Sequence, residues 1–190
     1  MMSSEGVWEA RVFSPVKGEN KTRTELVLRS LCERLRVRYS ENSAEKRTDI
    51  YLVGPNPDEG SKFRCGDLDF VETKVVTNRT VHGAERMLKR VVNANRFHVD
   101  PNCKKVHVSK RRYAEVGERE VTLLILNEEQ TWISLCIEGK KMERSDQAVV
   151  ELRDLLVHEG FPAGEIDLCS YSRWLYNLCY KEGGLQMMED

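Results

Sequence analysis

The chain lacks the short motifs by which many nucleotide-binding and hydrolytic proteins are recognised. It contains no GxGxxG, no GxxxxGK[ST] and no GxSxG, so glycine-rich phosphate loops and nucleophile elbows are excluded. The histidines at positions 82, 98, 107 and 158 show no HxH or HExxH spacing, and a zinc site is therefore not supported. No single local motif indicates a function.

A charge excess, long apolar runs and paired cysteines are missing as well. The 190 residues carry 30 Lys and Arg against 31 Asp and Glu, so general attraction to nucleic acid or acidic membranes is not indicated. No apolar run approaches the ~18 residues of a membrane span, and the N-terminus lacks the features of a secretory signal. The six cysteines include no CxxC pair, and we expect reduced core thiols in a cytoplasmic, or alternatively nuclear, protein. Any anion site must come from local clustering of cations.

Length and hydrophobic spacing predict one α+β domain over residues 1–190. The predicted strands are 7–13, 48–53, 61–65, 68–76, 104–113, 119–126 and 131–138, and the predicted helices are 24–36, 80–93, 146–158 and 168–180. The spacing also predicts a capping box at Thr22 and Glu25, a helix cap at Ser145 and a tight turn around Cys65-Gly66-Asp67. Strands come first with interspersed helices, and helices end the chain, which favours an antiparallel sheet.

The positive signal is a set of strand-like stretches with charged residues two positions apart. Residues i and i+2 of a strand point to the same side, so each stretch places two polar groups on one face. One such strand is an ordinary solvated face, whereas several favour the interior of a closed barrel that would hold a highly charged anion such as a triphosphate. The stretches are Glu9 with Arg11, Lys62 with Arg64, Glu72 with Lys74, and Ser109-Lys110-Arg111.

Each stretch also has a plainer interpretation. Lys62 and Arg64 suit phosphate, because Lys supplies charge and Arg a two-pronged donor, but cations also decorate exposed edge strands. Arg11 would contact phosphate while Glu9 holds a divalent cation or positions the arginine, or the two belong to an ordinary amphipathic strand. Glu138, a further candidate at the end of a predicted strand, precedes Gly139 and is also explained as a surface glutamate.

In a strand, the three cations Lys110, Arg111 and Arg112 cannot all face the same side, because successive side chains point to opposite faces. Arg111 shares a face with His107 and Ser109, and this polar face is the better inward candidate. We therefore predict that Arg111 points into the site, and for the other two cations a solvated basic run is an equally good interpretation.

Taken in order, these segments resemble the CYTH family, the triphosphate tunnel metalloenzymes. The resemblance implies an antiparallel eight-stranded closed barrel with flanking helices. It also implies hydrolysis or cyclisation of triphosphate substrates with Mg²⁺ or Mn²⁺. The matching segments are Glu9-Ala10-Arg11, Asp49-Ile50-Tyr51, Ser61-Lys62-Phe63-Arg64, Glu72-Thr73-Lys74, Val108-Ser109-Lys110-Arg111 and Ser170-Tyr171.

The resemblance also implies roles for individual residues. Phosphates would be bound by Arg11, Lys62, Arg64, Lys74 and Arg111. Catalysis would involve Glu9, Lys62 and Arg64, and the metal would be held by Glu9, Glu72 and Glu138. The family's opening ExExK reads Val7-Trp8-Glu9-Ala10-Arg11 here, and the late strands carry few acidic residues. We therefore expect the phosphate-binding half of the site to be better kept than the metal half.

Three functions follow from this resemblance. The first is a metal-dependent hydrolase of inorganic triphosphate, thiamine triphosphate or a nucleotide. The second is a non-catalytic module of the same fold that binds polyphosphate, a nucleotide or a protein partner. The third is an RNA 5′-triphosphatase, which needs a basic approach to the tunnel. That approach would come from Lys104, Lys105, Lys110 and Arg112 with Arg86, Lys89 and Arg90. A plain scaffold with surface charge pairs competes with all three functions, and no membrane contact is expected under any of them.

Overall fold

The computed structural model describes residues 6–18, 20–40, 44–64, 67–115 and 118–181, with the backbone alone at 67–69. The strands are β1 (Val7–Pro15), β2 (Glu45–Val53), β3 (Glu59–Arg64), β4 (Asp67–Arg79), β5 (Glu85–Asn93), β6 (Lys104–Ala114), β7 (Arg119–Leu126), β8 (Gln130–Gly139) and β9 (Asp167–Leu168). The α-helices are α1 (Lys21–Leu35), α2 (Met142–His158) and α3 (Tyr171–Tyr180). The predicted turn at Cys65 and Gly66 lies outside the described residues.

Eight antiparallel strands close into a barrel. Their hydrogen-bonded order is β5-β4-β3-β2-β6-β7-β8-β1, and β5 also pairs with β1 through Val7↔Met87 to Glu9↔Glu85. The short β9 pairs with β1 at Val12 and Phe13 and lies outside the ring. Closure gives each ring strand two partners and removes free sheet edges. The predicted α+β fold with an eight-stranded closed barrel is confirmed.

The prediction of a helix over residues 80–93 was wrong, because most of this segment is strand β5. Its apolar residues fit a helical spacing, but the structure follows a period of two at the start of the strand, with Glu85 and Met87 buried and Arg86 exposed. Val91 and Val92, assigned to the buried helix face, are exposed. Pairing with β4 on one side and β1 on the other fixes the segment as the strand that closes the barrel. Tertiary pairing here overrides local helical spacing.

Helices α1 and α2 cover part of the outer barrel surface. They bury Leu28, Leu31, Val149 and Leu152 against outward side chains of β1, β7 and β8. The two predicted helix starts are corrected. Asn20 caps α1 by accepting from the Arg23 backbone N–H at 3.1 Å, so Thr22 and Glu25 do not form the capping box. Ser145 lies inside α2, where its Oγ donates to the Lys141 carbonyl at 2.9 Å.

Helix α3 closes one end of the barrel with aromatic side chains. The Phe13 ring stacks on Trp174 with centroids 4.2 Å apart, and Tyr51 stacks on Tyr171 at 5.6 Å. We call Phe13, Tyr51, Trp132, Tyr171 and Trp174 the aromatic floor, because they fill the barrel below the charged residues described next. Ser170 caps α3 at its start.

Two expectations about composition bear on this fold. Four of the predicted core cysteines are buried, at positions 32, 136, 169 and 179, while Cys103 is half-buried. Within the described ranges, no helix has the length and apolar character that crossing a membrane requires.

Candidate functional site: a charged pocket inside the barrel

Charged side chains from all eight ring strands converge inside the barrel, above the aromatic floor. Their alternation follows the strand register, which pairs Glu9 with Glu138, Tyr51 with Lys62, and Lys62 with Glu72. Cations outnumber carboxylates, so the set has a net positive formal charge. We call it the charged pocket. Its cations are Arg11, Arg47, Lys62, Arg64, Lys74, Lys89, Lys110 and Arg112, and its carboxylates are Glu9, Glu45, Asp49, Glu72, Glu120 and Glu138.

The charged pocket opens at one end only. Side-chain exposure falls from 50% at Arg64 to 8% at Lys62, which lies opposite Tyr51 of the aromatic floor. Arg64, Arg112 and Glu45 therefore lie at the mouth, while Tyr51 and Tyr171 lie at the closed end. A cavity of about 110 Å³ beside Arg112, Glu120, Cys136 and Glu138 is part of this space. The wider groove of about 670 Å³ between α1 and α2 lies outside the barrel.

Arg11 is the centre of one ion-pair group. Its Nε lies 2.8 Å from Glu9 Oε1, and its Nη1 lies 3.0 Å from Glu120 Oε1 and 3.1 Å from Ser134 Oγ. Burial opposes ionisation of Glu9, but Arg11 and Lys74 outweigh it and lower the pKa of Glu9 to about 2. Glu9 is thus a carboxylate that holds the arginine in place.

Lys62 and Arg64 share the carboxylate of Glu72. Lys62 Nζ lies 3.2 Å from Glu72 Oε1, and Arg64 Nη2 lies 3.0 Å from Glu72 Oε2. Lys74 Nζ lies 3.9 Å from the same carboxylate and 3.8 Å from Glu9 Oε2. Burial and the nearby Lys74 lower the pKa of Lys62 to about 8, in spite of the carboxylates. The structure therefore brings together Arg11, Lys62, Arg64 and Lys74, four of the five cations predicted to bind phosphate.

Lys110 lies at the bottom of the pocket, where the sequence pointed to Arg111. Its Nζ lies 2.8 Å from Asp49 Oδ2 and donates to the Tyr51 hydroxyl at 2.6 Å. It lies 4.5 Å from the Tyr171 ring centroid and 4.8 Å from that of Tyr51. Burial, reinforced by Lys62, holds the pKa of Lys110 well below its usual value.

The prediction that Arg111 points inward was wrong. Arg111 lies on the outer face of β6, where Nη2 bonds to Glu25 Oε1 on α1 at 2.5 Å. On the inner face, Lys110 is level with Arg47 of β2 and Leu124 of β7. A run of three cations does not show whether its odd- or even-numbered residues face inward. Pairing with the neighbouring strands determines this.

Several pocket residues were missed in the sequence. Asp49 contacts Lys62 and Lys110, and Glu120 joins Arg11 to Arg112. The rule of residues two apart could have found Glu45, Arg47 and Asp49, since they alternate along β2 before Tyr51. Lys89 was missed because its segment was assigned to a helix.

The residues present do not fit a metal ion held by the protein alone. Among the residues that the structure describes, no three His, Cys, Asp or Glu side chains come together as metal ligands. The three predicted ligands are instead engaged by cations: Glu9 by Arg11, Glu72 by Lys62 and Arg64, and Glu138 by Lys89 at 2.6 Å.

The seven cations predicted as an RNA approach do not form one surface. Lys104 lies near α3, at the closed end, where Nζ donates to the Cys179 carbonyl at 2.7 Å. Lys89 and Lys110 are inside the barrel, whereas Arg86 and Arg90 alternate with Lys89 and lie on the outer side of β5. The charges are therefore distributed over both ends and both faces of the barrel.

Comparison with known proteins supports the architecture. No protein-family model and no curated protein sequence matches the chain. A solved structure from Pyrococcus horikoshii has a TM-score of 0.52 and 16% identity, covering 88% of this chain and 97% of its own. A putative adenylate cyclase from Vibrio parahaemolyticus has a TM-score of 0.53 and 14% identity, with 88% and 97% covered.

A third similar structure carries a stated activity. It is a putative adenylyl cyclase from Hippeastrum, described as having a dominant triphosphatase activity, with a TM-score of 0.52 and 10% identity. It covers 94% of this chain and 97% of its own. At these identities the likeness shows the fold alone. The chain has the triphosphate tunnel fold that the sequence resemblance implied.

Proposed function

We propose that this protein binds and hydrolyses a triphosphate-bearing molecule in the charged pocket. The observation that carries the proposal is the convergence of cations from separate strands in a barrel with a single opening. A linear triphosphate matches this arrangement, because it is a narrow, multiply charged anion that enters end first. The triphosphatase activity of the Hippeastrum protein supports the same reading.

The carboxylates of the pocket keep its cations in position before the ligand arrives. Glu72, for example, lies 3.2 Å from Lys62 Nζ and 3.0 Å from Arg64 Nη2. A phosphate group carries more negative charge than a carboxylate and accepts charge-assisted hydrogen bonds from the same cations. The ligand therefore exchanges one set of ion pairs for another, and the buried cations do not remain uncompensated.

Lys110 and Tyr51 are the best candidates for the chemical step. Hydrolysis of a phosphoric anhydride depends mainly on positioning and on neutralising charge. Lys110 is held by Asp49 and Tyr51, and its ammonium would neutralise the charge that develops on the innermost phosphate. In the proposed step a water oxygen bonds to the innermost phosphorus, the bridging P–O bond breaks toward the rest of the chain, and a proton of the water passes to the departing phosphate oxygen.

Mg²⁺ or Mn²⁺ enters this proposal as part of the substrate. A triphosphate chelates such an ion through its own oxygens, and Mg²⁺ commonly keeps several waters and phosphate ligands. The complex then needs no set of three protein carboxylates. The substrates to be compared are inorganic triphosphate, thiamine triphosphate and nucleotides.

The test is a phosphate-release assay on this panel with Mg²⁺ or Mn²⁺ present. Lys62→Ala and Arg64→Ala should each lower kcat/KM by roughly 10- to 100-fold, the loss expected for a charged hydrogen bond of about 1.5–3 kcal/mol. Lys46→Ala is the matched control, since Lys46 is exposed and lies one residue out of phase with the inward face of β2. Absence of both release and binding across the panel would contradict the proposal.

A non-catalytic role is the second candidate. It is favoured by the carboxylates already engaged by cations and by Val7 at the first position of the family's opening signature. Binding that depends on Lys62, without phosphate release, would identify the protein as a triphosphate-binding module.

A further inference from the structure

Two apolar side chains lie at the mouth on the inward side of the barrel. Phe70 precedes Glu72 by two residues on β4, and Val91 follows Lys89 by two residues on β5. Alternate residues of a strand share a face, so both lie on the face of the pocket residues. Phe70 is 46% exposed and Val91 is 67% exposed.

The strand register makes these two residues neighbours. Val91 is opposite Glu72, and Phe70 is opposite Asn93, so Phe70 and Val91 are diagonal partners across β4 and β5. Diagonal partners lie within reach of an aromatic side chain. Phe70 thus lies about 7 Å along the strand from Glu72, the carboxylate that holds Lys62 and Arg64.

Their placement distinguishes them from the other exposed apolar residues. Val81 is in a turn outside the barrel, and Ile125 is on the outer face of β7. Phe63 lies on the outer face and packs edge-on against Phe97 at 6.4 Å. Phe70 and Val91 instead continue the line of the charged pocket beyond its last cations.

The closed end determines which part of a ligand would meet this pair. A triphosphate enters with its terminal phosphate toward Lys110 and Tyr51, because the aromatic floor blocks passage through the barrel. Whatever is attached to the other end of the phosphate chain must stay at the mouth. Inorganic triphosphate has nothing there to place against an exposed aromatic ring.

We infer that Phe70, flanked by Val91, stacks on a flat aromatic heterocycle joined to the triphosphate. The inference rests on the proposed function and narrows its substrate class to heterocyclic organic triphosphates. The physical basis is that an aromatic ring offers a π face and apolar area to any planar heterocycle, with little dependence on its identity. Selectivity for the organic substrate over inorganic triphosphate would thus come from the mouth of the charged pocket and not from its cations.

The test is calorimetric titration with ATP and with inorganic triphosphate, each at the same Mg²⁺ concentration. Phe70→Ala should weaken ATP binding by roughly fivefold or more, as expected for loss of one stacking contact, and change the Kd of inorganic triphosphate by less than about twofold. Phe70→Tyr, which keeps the ring, should retain ATP affinity. Val81→Ala, also an exposed apolar residue, is the control and should change neither Kd.

The outcomes separate the inference from the function on which it depends. If wild-type protein binds both ligands and Phe70→Ala changes both Kd values or neither, the inference about Phe70 is overturned while triphosphate binding stands. If wild-type protein binds neither ligand, the proposed function fails and the inference about Phe70 fails with it. Unchanged affinity of Phe70→Ala for inorganic triphosphate also shows that the variant is folded.

Discussion

Gly60 of β3 and Ser172 of α3 are in such close contact that there is no room for a side chain at residue 60. A Cβ built on Gly60 would overlap Ser172 Oγ and lie 3.1 Å from Ser172 Cβ. This approach brings α3 against the barrel wall next to Tyr171, which forms part of the aromatic floor. The depth of the charged pocket therefore depends on a glycine that carries no chemistry itself.

Gly60→Ala should destabilise the protein by about 1–3 kcal/mol, the usual cost of overpacking a well-packed site. The steric cause is specific, so the double variant Gly60→Ala with Ser172→Gly should recover most of the loss. Denaturant unfolding of wild type, Gly60→Ala and the double variant measures both effects. Equal stability of Gly60→Ala and wild type would show that α3 does not pack as closely as described.

Lys110 and Arg111 provide a neighbouring pair with opposite predicted outcomes. Lys110→Met should abolish most triphosphate hydrolysis and destabilise the fold by about 3–5 kcal/mol, since it leaves Asp49 buried without its nearest cation. Arg111→Met removes a partly exposed ion pair to Glu25 and should cost at most about 1 kcal/mol, with activity retained.

The loss of function in Lys110→Met must be separated from the loss of stability. Adding Asp49→Asn removes the unpaired charge and should restore stability without restoring hydrolysis. Phosphate release and chemical unfolding, measured on the same preparations, distinguish the two effects. A variant with Met at 110 that is folded and fully active would exclude Lys110 from the chemical step.

Lys62 should make triphosphate affinity depend on pH. Its pKa in the free protein is lowered to about 8, and a bound polyanion favours the protonated form, so binding raises that pKa. Affinity should therefore be constant below about pH 8, where Lys62 is already charged, and it should fall as the pH rises above that value.

Calorimetry in buffers of different ionisation enthalpy should detect the accompanying proton uptake above about pH 8. Lys62→Arg stays charged and should show a smaller decrease in affinity and less proton uptake. The same pH profile in both proteins would mean that Lys62 is not the titrating group.

Divalent metal should bind together with the triphosphate and not beforehand. Titration of the free protein with MnCl₂ should give no saturable binding at micromolar concentrations, because the predicted ligands Glu9, Glu72 and Glu138 are occupied by cations. Stoichiometric Mn²⁺ binding that disappears in Glu9→Gln would contradict this and restore the metal role predicted for Glu9.

The barrel and much of its lining were predictable because strand alternation is a local property. Glu9 with Arg11 and Lys62 with Arg64 each share a face in the structure as the two-residue spacing requires. Their order along the chain provided the resemblance to the tunnel fold. The first turn of α3 was likewise indicated by Ser170, which caps it.

The remaining errors arose where the answer depends on a distant strand. Residues 85–93 contain apolar spacings that suit a helix, and only pairing with β1 and β4 makes them the closing strand. The choice between Lys110 and Arg111 depends on the register of β6 with β2, and Glu120 gains its role from contact with Arg11 on β1. Local spacing cannot determine such long-range relationships.

The aromatic floor has a kinetic consequence under the proposed chemistry. With passage through the barrel blocked by Tyr171 and Trp174, arrival and departure share one route. The orthophosphate released from the innermost position is formed behind the diphosphate fragment and leaves only after that fragment has gone. The two products would then inhibit differently. Orthophosphate, the last to dissociate, would compete directly with incoming substrate for the empty barrel.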